Sequence, residues 1–413
     1  LWSFVSWLIQ TKFMGRSLYR AKKAPDFSTH TLRNVLNDGR INWQRLICKV
    51  AASVAAYLAP YIDHRRRQAF IVDDTLFSRQ YSKSTELLAR VYDHDSHTYL
   101  RGFRTLTLGW SDGNTFLPID YALMSSKDQK QRLGAPAETA DRRSVAGQRR
   151  NQAQRKMNDV TVELIKQAVA NGIEAPFVLF DSWFSSPKMF WTLKSLGMDS
   201  IAMVKRSSKV YFRYRGRQYS VKGLYERFSH SKRKTKSQYL YSCFVTATYQ
   251  GKDGSHEFPI HLVFVRNRGK SNAYLVLATT NISLTPEQII QMYGRRWQIE
   301  GYFKVGKQYL RLDKSQIQSY DGLCGHMAMV MLTYTILAWQ QRLNTDDRTL
   351  GDLFFELGKP LPDIRESQAL SWLLASLTKL GSDLIGSARE TLNNILDTWM
   401  TIMPENLVEM LGQ

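Results

Sequence analysis

The segment YGRRWQIEGYFKVGK, residues 293–307, carries the most informative pattern in the chain. On a helix with about 100° between residues, four polar side chains share one side within roughly 60° of arc. These are Tyr293, Arg296, Glu300 and Lys307. The opposite side carries an apolar stripe, which predicts a face turned to a core. The stripe consists of Met292, Ile299, Phe303 and Leu310.

A carboxylate flanked by cations is typical of a site that binds a divalent metal ion and a phosphate. The alternative is an ordinary surface helix in which Glu300 pairs with Lys304 at i, i+4, a contact worth a few tenths of a kcal/mol. The net charge of the chain and two further acids favour the functional interpretation.

The chain is strongly basic, with a formal net charge of +21 over 413 residues. This charge indicates a polyanionic partner, with DNA or RNA ahead of a membrane surface. The three cysteines fit neither a metal motif nor a disulfide framework and predict a reducing, cytosolic compartment. The longest apolar run, residues 327–339, is too short to span a bilayer and predicts a buried helix. We therefore expect no membrane partner.

Short apolar runs predict three buried strands, at QAFIVDDT (68–75), APFVLFD (175–181) and DSIAMVK (199–205). A hairpin is predicted at residues 99–125, around the turn Ser111-Asp112-Gly113. Helices are predicted at VTVELIKQAVANG (160–172) and SSPKMFWTLKSLG (185–197), and the basic segment 125–156 is expected to be an exposed loop leading into a helix. Strand, antiparallel hairpin, helix, strand, helix, strand is the order of a ribonuclease H-like sheet.

We therefore predict an α/β fold with five regions. Residues 1–65 form a helical, DNA-binding N-terminal region. The ribonuclease H-like core occupies residues 66–205 and 286–320, and a β-rich insertion at 206–285 interrupts it. Residues 321–413 form a helical region that is expected to support dimerisation.

The first half of the insertion interleaves basic and aromatic residues, a combination that suits phosphate contacts and base stacking. Its predicted DNA-binding residues are Arg213, Arg215 and Arg217. The alternative is a charged edge strand that resists aggregation. The net charge of the chain favours DNA binding.

Three acids follow in the order that this fold requires. Asp73 or Asp74 ends the first strand, Asp181 ends the second, and Glu300 lies on the later helix. Two-metal phosphoryl transfer uses carboxylates that hold two divalent ions roughly 3.5–4 Å apart. Hard oxygen ligands suit Mg²⁺ or Mn²⁺, so we expect the acids to converge. Strand alternation sends Asp73 and Asp74 to opposite faces, so only one of them is expected to reach the site.

Other candidate residues carry weaker signals. The cluster DHDSH at 93–97 has no helical histidine pair and no cysteine partner, so a polar loop is expected rather than a metal site. Trp183 and Phe184 are expected in the core. Trp297 either braces Arg296 or stacks on a base, and packing is the favoured interpretation.

The pattern Y-x-x-R-x-x-x-E-x-x-x-x-x-x-K resembles the signature of the insertion-sequence-four family of DDE transposases, which includes the Tn-five transposase. It is matched at every spacing by Tyr293, Arg296, Glu300 and Lys307. VDDT at 72–75 and FDSWF at 180–184 resemble the segments that carry the family's first two acids. The first segment is usually D-x-T, which favours Asp73 over Asp74.

The resemblance implies metal-dependent, cut-and-paste transposition of a bacterial insertion sequence. A homodimer would hold double-stranded DNA at the terminal inverted repeats, nick each end, form and open a hairpin, and join the ends to target DNA. The alternatives are an inactive or domesticated DNA-binding protein and a structure-selective nuclease of the same fold. A nucleoid-associated, cytoplasmic location would follow.

By the same resemblance, Asp73, Asp181 and Glu300 would bind two divalent ions, Mg²⁺ or its substitute Mn²⁺. The implied DNA- and phosphate-binding residues near a flipped terminal base are Tyr293, Arg296, Trp297, Lys304 and Lys307. The family can stack that base on a tryptophan of the insertion, but residues 206–285 contain no tryptophan. Tyr211 or Phe212 is the candidate replacement.

Overall fold

The computed structural model describes residues 29–62, 66–93, 96–134, 137, 141–206, 210–228, 239–266 and 274–343. Residues 1–28, the basic segment 229–238 and the C-terminal residues 344–413 lie outside this part of the chain. The predictions made for those segments, including a dimerisation region at the C-terminus, therefore stay predictions.

The described chain begins with two helices, and groups of strands and helices follow. The first half contains α1 Thr29–Asn37, α2 Trp43–Leu58, β1 Ala69–Ser78, β2 Ala89–Asp93, β3 Thr98–Ser111, β4 Phe116–Met124, α3 Val145–Ala153, α4 Met157–Ala170, β5 Phe177–Phe180, α5 Pro187–Ser195 and β6 Asp199–Met203. The second half contains β7 Tyr211–Tyr214, β8 Arg217–Ser220, α6 Val221–Arg227, β9 Tyr239–Gly251, β10 Gly254–Arg266, β11 Tyr274–Thr279, α7 Pro286–Gly294, α8 Trp297–Gln308 and α9 Tyr320–Leu343.

The strands of the described residues form one mixed sheet in the order β2-β3-β1-β5-β6-β11-β10-β9-β7-β8, and β4 also pairs with β3. The strands, hairpin and helices predicted between residues 68 and 205 are confirmed in kind and order. In the centre of the sheet, β1 runs antiparallel to β3 and parallel to β5. Val72 on β1 pairs with Phe180 on β5, so the two residues that follow, Asp73 and Asp181, lie at the same level of the sheet.

The strands between residues 211 and 279 continue this sheet. The antiparallel pairing of β11 with β6 joins them to the centre, through the register Leu277↔Met203. The long strands β9 and β10 form a hairpin next to β11. The β-rich segment therefore shares hydrogen bonds with the sheet that carries Asp73 and Asp181.

The expectation of an exposed loop across residues 125–156 is wrong for its second half. Residues 145–153 form α3, in which Arg149 and Arg150 are each only 6% exposed. They are buried because acids from distant segments neutralise them. Asp321 lies 2.8 Å from both guanidinium groups, and Glu86 lies 2.6 Å from that of Arg150.

The long helix α9 lies inside the protein. All residues from Met327 to Trp339 are buried, which confirms the buried helix predicted there. Among the described residues, only this helix has the length and hydropathy to cross a membrane, and its most apolar part is entirely buried within the protein. Phenolic groups anchor the sheet to it, since Tyr121 donates a hydrogen bond to the carbonyl of Cys324 at 2.5 Å.

Candidate active site

Asp73 and Asp74 lie inside β1, which continues to Ser78 rather than ending at the acids as expected. The pleat sends their side chains to opposite faces of the sheet. Asp74 forms an ion pair with Arg104 of β3, and both side chains are largely buried. Asp73 instead contacts Arg296, which lies across the other face of the sheet. Asp73 is therefore the acid of this pair that faces the helix carrying Glu300.

Arg296 connects two of the predicted acids. Its Nη1 lies 2.8 Å from Oδ2 of Asp73, and its Nη2 lies 2.5 Å from Oε1 of Glu300. One guanidinium group thus bridges a strand carboxylate and a helix carboxylate that are 227 residues apart in sequence (300 − 73). The ordinary Glu300–Lys304 pair, considered above as an alternative, is not the contact that the structure contains.

The single helix predicted over residues 293–307 is wrong, because the chain forms two helices there. Thr285 and Gln288 form a capping box at the start of α7, which ends at Gly294. The second helix, α8, begins at Trp297. Glycine has a low helix propensity, which weakens the helix at this point. The predicted apolar stripe is nevertheless buried, including Ile299 and Phe303.

Asp181 stands immediately after β5, at the level of Asp73. Its Oδ1 accepts a hydrogen bond from the backbone N–H of Trp183 at 2.8 Å, which fixes the turn that leads to α5. No ion pair to Asp181 is present among the described residues. Asp181 therefore differs from Asp73 and Glu300, which both pair with Arg296.

Electrostatic coupling links Tyr293 to these acids. Burial raises the pKa of the Tyr293 phenol to about 12, with contributions in the same direction from Asp181 and Asp73. Burial also raises the pKa of Asp73 to about 7; Arg296 opposes this shift, and the carboxylates of Asp74 and Asp181 reinforce it. Asp73, Asp181, Glu300, Arg296 and Tyr293 thus form one interacting group.

A family model described as DDE superfamily endonuclease matches residues 10–239, more than half of the chain. The chain belongs to the DDE superfamily of endonucleases. The match includes β1 with Asp73 and β5 with Asp181, and it ends before the helix that carries Glu300.

Other comparisons add little to this assignment of the DDE endonuclease. No curated protein matches the chain. A cryo-EM structure of the piggyBac transposase synaptic complex with hairpin DNA aligns with 98% of this chain and 76% of that one, at 11% identity. Its TM-score of 0.44 is too low to support a conclusion.

Carboxylate oxygens are the donors that Mg²⁺ and Mn²⁺ prefer, and two of the acids of this DDE endonuclease already share one cation, Arg296. In the described residues, however, no three His, Cys, Asp or Glu side chains stand in a ready metal-binding cluster. The carboxylate oxygens are therefore the type of ligand that divalent ions require. In this structure, however, Arg296 occupies the space between Asp73 and Glu300.

Two tryptophans flank the acids and are exposed, contrary to the expectation that they pack. Trp183 is 52% exposed and Trp297 is 65% exposed, whereas Phe184 is fully buried as expected. The guanidinium group of Arg296 lies 5.7 Å from the Trp297 ring centroid, so Trp297 braces Arg296, the alternative considered from the sequence. The ammonium group of Lys205 lies 4.6 Å from the Trp183 ring centroid, a cation–π contact that the sequence analysis missed.

Two further cations of α8, Lys304 and Lys307, differ in their exposure. Lys307 is half-buried and Lys304 is exposed. Lys304 lines a cavity of about 750 Å³ together with Gln298, Gln308 and residues of α9. Within the described part of the chain, neither lysine forms an ion pair with the acids, so their predicted role in phosphate binding stays a prediction.

The predicted DNA-binding residues of the β-rich segment are exposed but differ in their contacts. Arg213 forms an ion pair with Glu257, so its charge is partly neutralised. Arg215 lies over the ring of Tyr214, and Arg217 is exposed on β8. Of the two candidates for base stacking, Tyr211 is exposed and Phe212 is buried, which excludes Phe212 as a surface for stacking.

The polar cluster at residues 93–97 is only partly described, because His94 and Asp95 lie outside the described residues. Asp93 accepts a hydrogen bond from the hydroxyl of Ser96 at 2.7 Å. This contact lies between β2 and β3, and the polar loop predicted across residues 93–97 stays a prediction.

Proposed function

We propose that this DDE endonuclease is a DNA transposase that performs metal-dependent, cut-and-paste transposition of an insertion sequence. We propose a ribonuclease H-like core for it, and the strand order β4-β3-β1-β5-β6, with β1 antiparallel to β3 and parallel to β5, supports this. Asp73, Asp181 and Glu300 are the proposed catalytic residues. The proposed partners are the terminal repeats and the target DNA.

The observation that carries this proposal is the bridge from Asp73 through Arg296 to Glu300, beside Asp181. A buried arginine between two carboxylates has an evident structural use. A purely structural pair, however, does not require a third acid at the same level of the neighbouring strand. The net charge of +21 supplies the attraction to DNA that the chemistry requires.

Two divalent ions, Mg²⁺ or Mn²⁺, are the proposed cofactors, and Asp73, Asp181 and Glu300 would hold them. When bound, such ions activate the attacking oxygen and stabilise the leaving oxygen of the phosphodiester. Arg296 must then leave the space between Asp73 and Glu300. Its guanidinium group would turn to the scissile phosphate, for which its planar donors are well suited.

The aromatic side chains around the acids support a role in holding DNA ends. Trp183 and Trp297 present exposed rings on which unpaired bases can stack, each contact being worth about 1–3 kcal/mol. Tyr293 and Lys307 would hold the phosphate next to such a base. The proposal also includes a homodimer that holds the two DNA ends of the insertion sequence together.

The test is cleavage of the element's own end, as a labelled duplex, with Mg²⁺ or Mn²⁺. A nick followed by a hairpin-sized product, and then by joining to a second duplex, supports transposition. Cleavage without joining favours a structure-selective nuclease. Binding without a cut in either metal favours a DNA-binding protein that has lost its chemistry.

A further inference from the structure

The hairpin formed by β2 and β3 reaches beyond the centre of the sheet. Strand β1 pairs with β3 from Gly102 to Ser111, and the N–H of Arg79 donates one further hydrogen bond to the carbonyl of Arg101 at 2.7 Å, whereas residues 98–100 of β3 pair only with β2. The hairpin therefore ends in a two-stranded arm. In this arm β2 ends at Asp93 and β3 begins at Thr98.

One face of this arm concentrates positive charge and aromatic rings. Arg90 lies directly opposite Arg101, and Tyr92 lies directly opposite Tyr99. All four side chains are exposed, and the two tyrosine rings meet edge to face at 5.3 Å. We call these four residues the arm surface.

The charge of the arm surface is not neutralised within the described part of the protein. Neither Arg90 nor Arg101 forms an ion pair with a described residue, although Arg104, three residues further along β3, pairs with Asp74 on the other face. Like charges directly opposite each other destabilise a strand pair. An arginine pair at this position therefore carries a cost that an anionic partner would remove.

The arm surface lies on the same face of the sheet as Asp73. Asp73 is opposite Thr107, and Arg101 is six residues (107 − 101) from Thr107 on β3, so alternation places them on one face. Phe103 of β3 and Phe77 of β1 lie on this same face by alternation, and their rings contact each other; Phe103 also contacts Tyr320. Six residues of strand span about 20 Å, the length of about six base steps of duplex DNA.

We propose that the arm surface binds the phosphate backbone of the substrate duplex, about six base pairs from the phosphate that is cut. This inference rests on the proposed function, because the distance to the phosphate that is cut is counted from Asp73, a proposed catalytic residue. Arg90 and Arg101 contact phosphate oxygens, and Tyr92 and Tyr99 pack against the sugars. The alternative use of such charges is to keep an edge strand from associating with other chains.

The test compares Arg90→Gln/Arg101→Gln with a control that removes the same charge elsewhere, Lys166→Gln/Lys194→Gln, whose side chains are exposed on α4 and α5. Binding to a labelled duplex of about 30 base pairs is measured between about 50 and 200 mM salt. We expect the arm variant to lower the slope of log K against log salt by about 2, since each phosphate contact contributes about 0.9. The control should change the slope by less than half as much. Equal slopes for both variants would overturn the proposal.

A second measurement separates this proposal from the proposed function. Wild type and the arm variant are compared on element-end duplexes that extend either well beyond, or less than, about six base pairs on each side of the cut. The arm variant should cleave the long duplex at least tenfold more slowly than wild type, and the short duplex equally. Equal rates on both duplexes overturn the arm proposal and leave the function intact. Absence of cleavage by wild type overturns the function itself, and the binding slopes then still decide whether the arm contacts DNA.

The unfolding temperature of the arm variant provides a third, independent test. Because the substitution removes a repulsion between opposed arginines, its unfolding temperature should equal or exceed that of wild type. A lower unfolding temperature would show that the arginines stabilise the arm within the protein, which contradicts the inference.

Discussion

Asp73 and Asp74 are neighbours on β1, and they pair with different arginines on opposite faces of the sheet. Asp73 contacts Arg296, and Asp74 contacts Arg104. One carboxylate thus faces the helix with Glu300, while the other supports the sheet. The D-x-T resemblance favoured Asp73 from sequence, and these contacts support the same choice on independent grounds.

This division predicts different effects for two otherwise identical substitutions. Asp73→Asn should abolish DNA cleavage while the protein stays folded. Asp74→Asn should retain cleavage but lower the free energy of unfolding by about 1–3 kcal/mol, because a largely buried hydrogen-bonded charge pair is weakened. Cleavage assays and chemical denaturation measure the two effects. Loss of cleavage in Asp74→Asn alone would reverse the assignment.

Arg296 and a divalent ion should compete for the space between Asp73 and Glu300. Arg296→Gln removes the competing charge, so Mn²⁺ should bind about tenfold more tightly, a difference of about 1.4 kcal/mol. Cleavage should nevertheless fall, because the phosphate loses a bidentate donor. Calorimetric titration with Mn²⁺ measures the affinity.

The adjacent Arg295 provides a matched control for that experiment. Its guanidinium group donates a hydrogen bond to the carbonyl of Arg67 and does not contact the acids. Arg295→Gln should leave the affinity for Mn²⁺ unchanged. Equal Mn²⁺ affinities for Arg296→Gln and wild type would show that the ion does not use the space that Arg296 occupies.

The raised pKa of Asp120 on β4 should make the stability of the protein depend on pH. Burial raises its pKa from an ordinary value of 3.8 to about 8. The folded state then holds a proton that the unfolded state releases, so stability falls as pH rises from about 4 to about 8, by at most about 1.4 kcal/mol per pH unit. Asp120→Asn should reduce this slope, the remainder coming from Asp73, whose pKa is also raised, and it should stabilise the protein at pH 8. Asp141→Asn, at an exposed position, is the control and should retain the wild-type slope. Parallel curves for Asp120→Asn and wild type would contradict the assignment.

The buried cluster of Arg149, Arg150, Glu86 and Asp321 joins α3 to α9 and to the segment before β2. Asp321→Asn leaves two buried guanidinium groups short of their partner, so the free energy of unfolding should fall by about 3–5 kcal/mol. The exposed pair of Asp159 with Lys188 gives a control, because Asp159→Asn should cost less than about 1 kcal/mol. Urea denaturation compares the two, and equal costs would argue against a structural role for the cluster.

The sequence predicted the centre of the sheet well because local patterns specify it. Apolar runs bounded by turn residues identified β1, β5 and β6, and the glycine at position 113, with φ of 100°, marks the turn between β3 and β4. These features depend on residues close together in the chain. The relative order of the acids follows from them.

Other features depend on partners that are distant in sequence and could not be predicted. Arg149 and Arg150 belong to a basic segment that suggests an exposed loop, and they are buried because Glu86 and Asp321 meet them. The break between α7 and α8 places Arg296 at the start of the second helix, where it reaches Asp73. The helical spacing of polar and apolar residues predicts one continuous helix across that break.

The central claim is that Glu300 performs chemistry and does not hold DNA. The most direct measurement compares Glu300→Gln with wild type in binding and in cleavage of the element's end with Mn²⁺. The matched control is Glu287→Gln, an exposed position on α7. The account predicts that Glu300→Gln binds the duplex as tightly as wild type and does not cut it, while Glu287→Gln binds and cuts normally. Cleavage by Glu300→Gln at the wild-type rate would contradict the account.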